Sequence, residues 1–566
     1  EQEFSIGRVA WELLGENEQF KNTAPKPHWA QENGMPVIES YVSLYYLYEV
    51  ELVKRSGSEG LSVIMQANGT NALLDGDTQR VYVAEAEEIT IDSGGIDDNY
   101  TVTYSPKDPC TGINKYTWGM PNNTFYYTIS AKTNEDISWY IGQENVSEYT
   151  LKTTAQLFGF AALVNGTAKR ADGTLVNSVN FSGKTIYLAN DVDVSGYEWI
   201  AIGYSDGYTP TAFAGTFDGK GHTVTLTLDT IGQSYVGFFG YVTGTVKNLT
   251  VDGSVKADST GSNGIGHAAG VVAYLAGGTV KMCVNRASVT TDKCCYTAGI
   301  VGGSENGKIK NCRNTGEISS TYESTGGHAA GIANEAESVT QCWNEGDIEL
   351  KTVKGKSANS RVAGVATGAP VLNSANFGKV SGPTWAETGV SIGGVGTTAV
   401  SNSYNLGTVT GAAGKTYNIS GGTVVNSYYA DIAGKTGIYV KDSAGITDAD
   451  KSQSITITEV DGKKAYKVGN VELVDVLNGA CKNISGALEW INKQEAPNNP
   501  VHITRWDGSF EPGVKGVITL VYDPNGGEGA AVTEQQRVEG DTGSFTIKSD
   551  TELGFKHENG TFLGWS

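Results

Sequence analysis

Residues Ala298–Ser319 read AGIVGGSENGKIKNCRNTGEIS, and residues Ala330–Glu349 read AGIANEAESVTQCWNEGDIE. The same phrase precedes them as AAGVVAYLAGGTVKMCVNRASVT (Ala268–Thr290). It follows them as AGVATGAPVLNSANFGKVS (Ala363–Ser381) and IGGVGTTAVSNSYNLGTVT (Ile392–Thr410), with a worn copy, SGGTVVNSYY, from Ser420. The anchors Gly270, Gly299, Gly331, Gly364 and Gly393 are spaced by 29, 32, 33 and 29 residues. A small residue recurs in mid-copy (Cys283, Cys312, Cys342, Ser374, Ser403, Ser427), and two residues later an amide (Asn285, Asn314, Asn344, Asn376, Asn405). A period in this range marks a solenoid or another repeat architecture.

Each copy carries two or three short β-branched strands, such as Thr279–Lys281, Ile309–Lys310 and Val371–Leu372, between glycine turns. No helix-forming stretch separates the copies, so a crossover helix and a βαβ sheet are excluded. A coil remains, in which each strand lies about 4.8 Å from its counterpart in the next copy and each rung buries its apolar face against its neighbours. Small residues then stack as filler in a narrow core, and the asparagines form a hydrogen-bonded ladder of the kind seen in cross-β stacks. The fold class read from this is all-β: a right-handed parallel β-helix with flanking modules.

Upstream, SGKTIYLANDVDVSGYEWIAIG (Ser182–Gly203), FAGTFDGKGHTVTLTL (Phe213–Leu228) and YVGFFGYVTGTVKNLTVDGSV (Tyr235–Val255) read as opening rungs. TTAQLFGFAALVN (Thr153–Asn165) reads as an amphipathic helix with a Thr153/Gln156 capping box that covers the open end of the solenoid. Residues 39–147 alternate polar and apolar positions in Tyr41–Val53, Val81–Glu85, Tyr100–Tyr104 and Phe125–Ser130, as in a β-sandwich of the Ig-like kind. Residues 1–38 and 470–513 share a short helix, a tryptophan (Trp29 or Trp490) and a Pro-led strand. They are expected to be closing pieces of β-helices, the first of a preceding one. Residues 516–566 open on VITLVYDPNGGEG, a strand and hairpin turn. The expected order is 1–38, 39–147, 148–440 for the β-helix with its helix, 441–515, and 516–566.

Glycine supplies 74 of 566 residues, about twice the usual share, as many tight turns require. The formal charge of −21 disfavours nucleic acid and anionic membrane surfaces, and no apolar run approaches a membrane span of about 20 residues. No leader is visible, which suggests a piece of a larger exported protein. The seven cysteines form no CxxC pair and no even framework.

The repeat resembles the GLUG-type β-helix of bacterial surface proteins, including the non-catalytic part of IgA-protease-like proteins, on AGIVGG…KIKNCRNTGEIS, TFDGKGHTV and GFFGYVTGTVKNLTV. The tail resembles an internalin-type Listeria–Bacteroides repeat, a small β-grasp module, on VYDPNGGEG and FLGWS. Both resemblances imply exported, modular, adhesin-like proteins, and neither supplies a catalytic residue.

The search for chemistry yields few constellations. H-E-x-x-H, the helix-borne zinc motif, is absent. His267 and His328 both precede Ala-Ala-Gly but fall two rungs apart. Asp218 and His222 of FDGKGH read as turn and strand start rather than an acid–base pair. Glu317, Asp347 and Lys379 stack as a charge column that reads as a solvated edge. Cys283, Cys312 and Cys342 lie within the Cα range of a disulfide, though buried thiol filler is the preferred reading and the redox state stays open. The N-x-S/T sites, Asn68 and Asn99 among them, follow from composition, and no glycosylation is assigned. Trp343, Trp385, Tyr404, Tyr428 and Tyr429 cluster late in the repeats; core or rung-edge packing is the preferred reading, and an exposed strip on which sugars stack is the alternative. The expectation is therefore a non-catalytic, adhesin-like cell-surface segment with no cofactor or metal, binding a glycan or an extracellular-matrix protein. The alternatives are a carbohydrate-active β-helix enzyme or a structural spacer.

Overall fold

The computed structural model describes residues 47–105 with short breaks, 124–203, 211–258, 266–430 and most of 454–481. It also describes short strands at 29–32, 35–38, 490–492, 501–503, 516–522 and 532–538. The fold is all-β with a parallel β-solenoid and additional flanking sheets. One coil shows how the sequence drives it. Lys308–Lys310 runs straight, Asn311 turns the corner at φ +61°, and Arg313–Asn314 and Ile318–Thr321 follow. His328–Ala330 and Ala333–Asn334 then close the circuit. Each strand pairs in parallel with its counterpart one copy on: Ile309 with Val339, Asn314 with Asn344, Ile318 with Ile348 and Ala330 with Ala363.

The inward column Val246, Val280, Ile309, Val339, Val371, Val400 and Val424 is buried throughout. Each such side chain contributes roughly 1.5–3 kcal/mol on burial. Beside it the asparagine ladder forms: Asn285, Asn314, Asn344 and Asn376 each donate Nδ2 to the Oδ1 of the next rung at 2.7–2.8 Å. Each Nδ2 also donates to the carbonyl two residues on, so both hydrogens are used. Glycine follows the ladder at Gly346, where a Cβ would overlap the Gly316 carbonyl below.

The small-residue column is more than the filler expected of it. Cys283, Cys312 and Cys342 donate Sγ–H to the carbonyl two residues back at 3.3–3.4 Å. Ser374, Ser403 and Ser427 do the same with Oγ at 2.8–2.9 Å. From Cys312 to Ser403, each backbone N–H also donates to the sulfur or hydroxyl of the next rung at 3.0–3.3 Å. The thiols are free and buried.

The helix Thr154–Asn165 is capped by Thr153, whose Oγ1 accepts from Gln156 N at 3.2 Å. It is not amphipathic: Leu157 to Val164 are all buried. The segment at Asp136–Tyr140 lies on its outer side, and a Cβ on Gly159 would overlap the Asp136 carbonyl. Ahead of it, the sheet containing Leu47–Gly57, Thr78–Ala84, Tyr100–Ser105 and Thr124–Ala131 packs on a three-stranded sheet around its own core of Val50, Leu52, Met65, Val81, Phe125 and Ile129. At the other end Ser454–Val460 adds one more parallel strand on Tyr429–Ala430 and turns back antiparallel into Lys463–Val468.

The two tryptophan segments form matching antiparallel hairpins, Trp29 opposite Ile38 and Trp490 opposite Ile503. Gly516–Tyr522 pairs antiparallel with Val532–Val538, while the DPNGG turn lies outside the described residues. No helix of the described residues is long and apolar enough to cross a membrane.

Candidate functional site

Most of the late-rung aromatics pack rather than form an exposed strip. Trp343, Tyr404 and Tyr428 share one outward column, with Ala375 on the rung between the first two, but are buried, packed with the helix Leu473–Cys481 and Trp490. Trp490 meets Tyr404 edge-on with centroids 5.3 Å apart. Those three rings therefore offer no face to a sugar and are withdrawn as sugar-binding candidates: they pack, as the seat of the C-terminal cover. Tyr429 is half-buried. Trp385 keeps 40% of its surface exposed, with Lys354 Nζ 5.5 Å from its ring centroid.

The other motifs resolve into structure. Asp218 is buried; it accepts from Lys220 N and Asn248 Nδ2 and pairs with Lys247, whereas His222 faces Asp191. Glu317, Asp347 and Lys379 are exposed. His267 and His328 flank Tyr296 with centroids 4.8 Å apart on each side, His267 stacked on the ring and His328 edge-on to it. Burial pushes both imidazoles down to about 3. No group of three or more His, Cys, Asp or Glu converges on a metal position among the described residues.

What sequence reading missed is a cleft of about 890 Å³ between the sandwich and the first solenoid rungs, within the range of ligand sites. One wall is the outer face of the sandwich sheet, where Tyr126 and Thr128 alternate with the core residues Phe125, Tyr127 and Ile129 and Arg55 projects from the neighbouring strand. The opposite wall is the strand Thr223–Ile231, with the turn Ser195–Ile200 at its side. That turn is anchored by Trp199, which stacks on Phe238 at 5.1 Å and donates Nε1–H to the Phe238 carbonyl.

Polar contacts join the modules. Ala131 N donates to Gly196 O at 3.4 Å. Arg55 Nη2 lies 2.6 Å from Asp229 Oδ1, both side chains about nine-tenths buried, and the guanidinium lies over the Tyr126 ring. Lys256 Nζ reaches the other Asp229 oxygen at 3.5 Å. Glu198 projects from the same turn. Loss of bulk water in the concavity pushes its carboxyl up, modestly in effect because the side chain keeps a solvent-exposed face. Arg55, Glu198 and Asp229 are far apart in sequence, and only the outward phase of Asp229 in TVTLTLDTI hinted at a role.

The fold and site thus define a modular, all-β solenoid protein with a cleft where a sandwich docks on its opening rungs. No protein-family model matches the chain, and no curated protein does. Among solved structures it is similar to a "putative immunoglobulin A1 protease" from Bacteroides ovatus, at 17% identity and a TM-score of 0.36 over 64% of this chain and 93% of that one. It is also similar to a structure named IgA1 Protease, at 14% identity and a TM-score of 0.26 over 74% of this chain and 30% of that one. The reading of a non-catalytic, adhesin-like segment is corrected by this finding: the similar structures carry the names of enzymes, and neither is named as an adhesin. At these identities no activity passes to this chain.

Proposed function

We propose that the chain is part of an extracellular hydrolase of the protease kind, in which the cleft between sandwich and solenoid receives a polypeptide substrate. The observation that carries the reading is the cleft itself: a tyrosine-lined concavity between two separately cored modules, with the raised carboxyl of Glu198 at its rim. The remainder of the solenoid is a rigid wall that holds this cleft open. The GLUG-type and Listeria–Bacteroides resemblances of the repeats and tail belong to the same reading of an exported, modular protein.

The test incubates the 566-residue chain with immunoglobulin A (the substrate in the names of the similar structures), with unfolded casein and with soluble glycans, following fragments by mass spectrometry and binding by interferometry. Protein binding or cleavage that is reduced at least about tenfold in Glu198→Gln and Tyr126→Ala supports the proposal. Protein cleavage indifferent to both variants moves the site elsewhere. Glycan binding alone, lost in Trp385→Ala, replaces the polypeptide with a sugar ligand on the exposed ring.

A further inference from the structure

We infer that the cleft takes its polypeptide as an added β-strand, laid along the unpaired side of Thr223–Ile231. The inference rests on the polypeptide reading of the cleft and deepens it. This strand pairs over its whole length with Thr250–Asp258 on one side. On the other it meets only Val192–Asp193, opposite Val224 and Thr225. Beyond Val194 the chain turns away, with Tyr197 N donating back to Val194 O at 3.1 Å.

In a parallel pair, a residue's N–H and C=O point to the same side, and successive residues alternate. The phase here is fixed by three bonds. His222 O accepts from Thr250 N, and Gly232 N donates to Asp258 O, so even-numbered residues face the next rung. Thr225 O accepts from Val194 N, so odd-numbered residues face the other way. Thr227, Asp229 and Ile231 therefore direct both backbone groups away from the next rung, and no described residue pairs with them there. All three line the cleft, across from Tyr126–Ser130.

An open strand edge is ordinarily blunted or covered; here the docked sandwich shelters it from a second large sheet while leaving room for one chain. The repeat of donor and acceptor at every second residue, about 6.6 Å apart, matches an extended peptide of any sequence. A glycan has no such row. Strand addition draws affinity from main-chain hydrogen bonds and selectivity from alternate side-chain pockets. Here one of those pockets is bounded by Tyr126 and Arg55.

The experiment measures fluorescence anisotropy of a labelled, lysine-flanked octapeptide of alternating threonine and valine, titrated with the full chain. Two versions of the peptide carry backbone N-methyl groups, on alternate residues in one phase or the other. Strand addition predicts that one phase weakens binding at least about tenfold while the other binds as the parent does. Thr227→Pro removes an outward N–H that the ladder with Thr250–Asp258 does not use, and it is expected to weaken the parent peptide with the circular dichroism unchanged. Equal binding of both methylated peptides overturns strand addition and leaves the polypeptide reading standing. Absence of any peptide binding by the folded wild-type chain overturns both.

Discussion

Cys312 donates its thiol hydrogen to Lys310 O, and its own N–H is received by the sulfur of Cys342. The backbone bond survives any replacement at 312, whereas the side-chain bond to Lys310 O can be made by serine and not by alanine, which explains why the column changes from cysteine to serine without a break. Cys312→Ser is expected to cost less than about 1 kcal/mol, and Cys312→Ala about 1–2 kcal/mol, read as shifts of the urea midpoint. The buried imidazoles of His267 and His328 make a second prediction at this scale. The unfolded chain takes up their protons near 6.5, the folded chain only near 3. In between, the folded state binds fewer protons, so their contribution is full above pH 6.5 and is lost as the pH falls towards 3. His267→Phe, which keeps a ring between Tyr235 and Tyr296, should have a shallower decline of melting temperature from pH 6.5 to 4 than wild type. An unchanged slope would mean that other groups govern the acid limb.

Strands and corners carry their own consequences. The corner before the small-residue column is left-handed at Asn248, Met282, Asn311, Gln341, Asn373, Asn402 and Asn426. Asparagine tolerates that conformation better than glutamine, and Asn402 and Asn426 already form a second amide ladder with Asn373 at 2.6–2.7 Å. Gln341→Asn is expected to stabilise the solenoid by about 0.5–1 kcal/mol, seen as a higher urea midpoint. The C-terminal helix acts through Leu477, buried against the aromatic column of Trp343, Tyr404 and Tyr428. Leu477→Ala should loosen the cover by roughly 2–4 kcal/mol and speed hydrogen exchange in 473–492, while amides of the early rungs keep their protection. Loss of protection along the whole solenoid would instead make the cover a condition of folding.

Across the whole molecule, the sandwich and the solenoid have separate cores, joined in part through Arg55 and Asp229. Removing one partner of a buried pair strands the other, at a cost on the order of 3–5 kcal/mol, reduced here because Lys256 still reaches Asp229. Arg55→Met is therefore expected to split calorimetric unfolding into two transitions. Arg55→Met with Asp229→Met should restore most of the loss; failure to do so would place the coupling of the modules elsewhere in the interface.

The repeat alone determined the solenoid. Glycine anchors, a small-residue column and an asparagine column at a common period satisfy both packing and hydrogen bonding only when copies stack in register, so periodicity carried the coil, its inward face and the amide ladder. Composition could not tell a filler from a hydrogen-bonded thiol, because Cys and Ser share size and differ in partners. Nor could it tell an exposed aromatic from a covered one: Trp343 and Tyr404 point outward in either case, and burial was decided by the helix Leu473–Cys481, far from Tyr404 along the chain. The cleft was hidden for the same reason. Arg55, Glu198 and Asp229 belong to three segments with no shared pattern, and they become a site only when the sandwich docks on the rungs. Local periodicity encodes what each residue does within its strand, while the meeting of separately folded surfaces is set by shape and charge that no single segment carries.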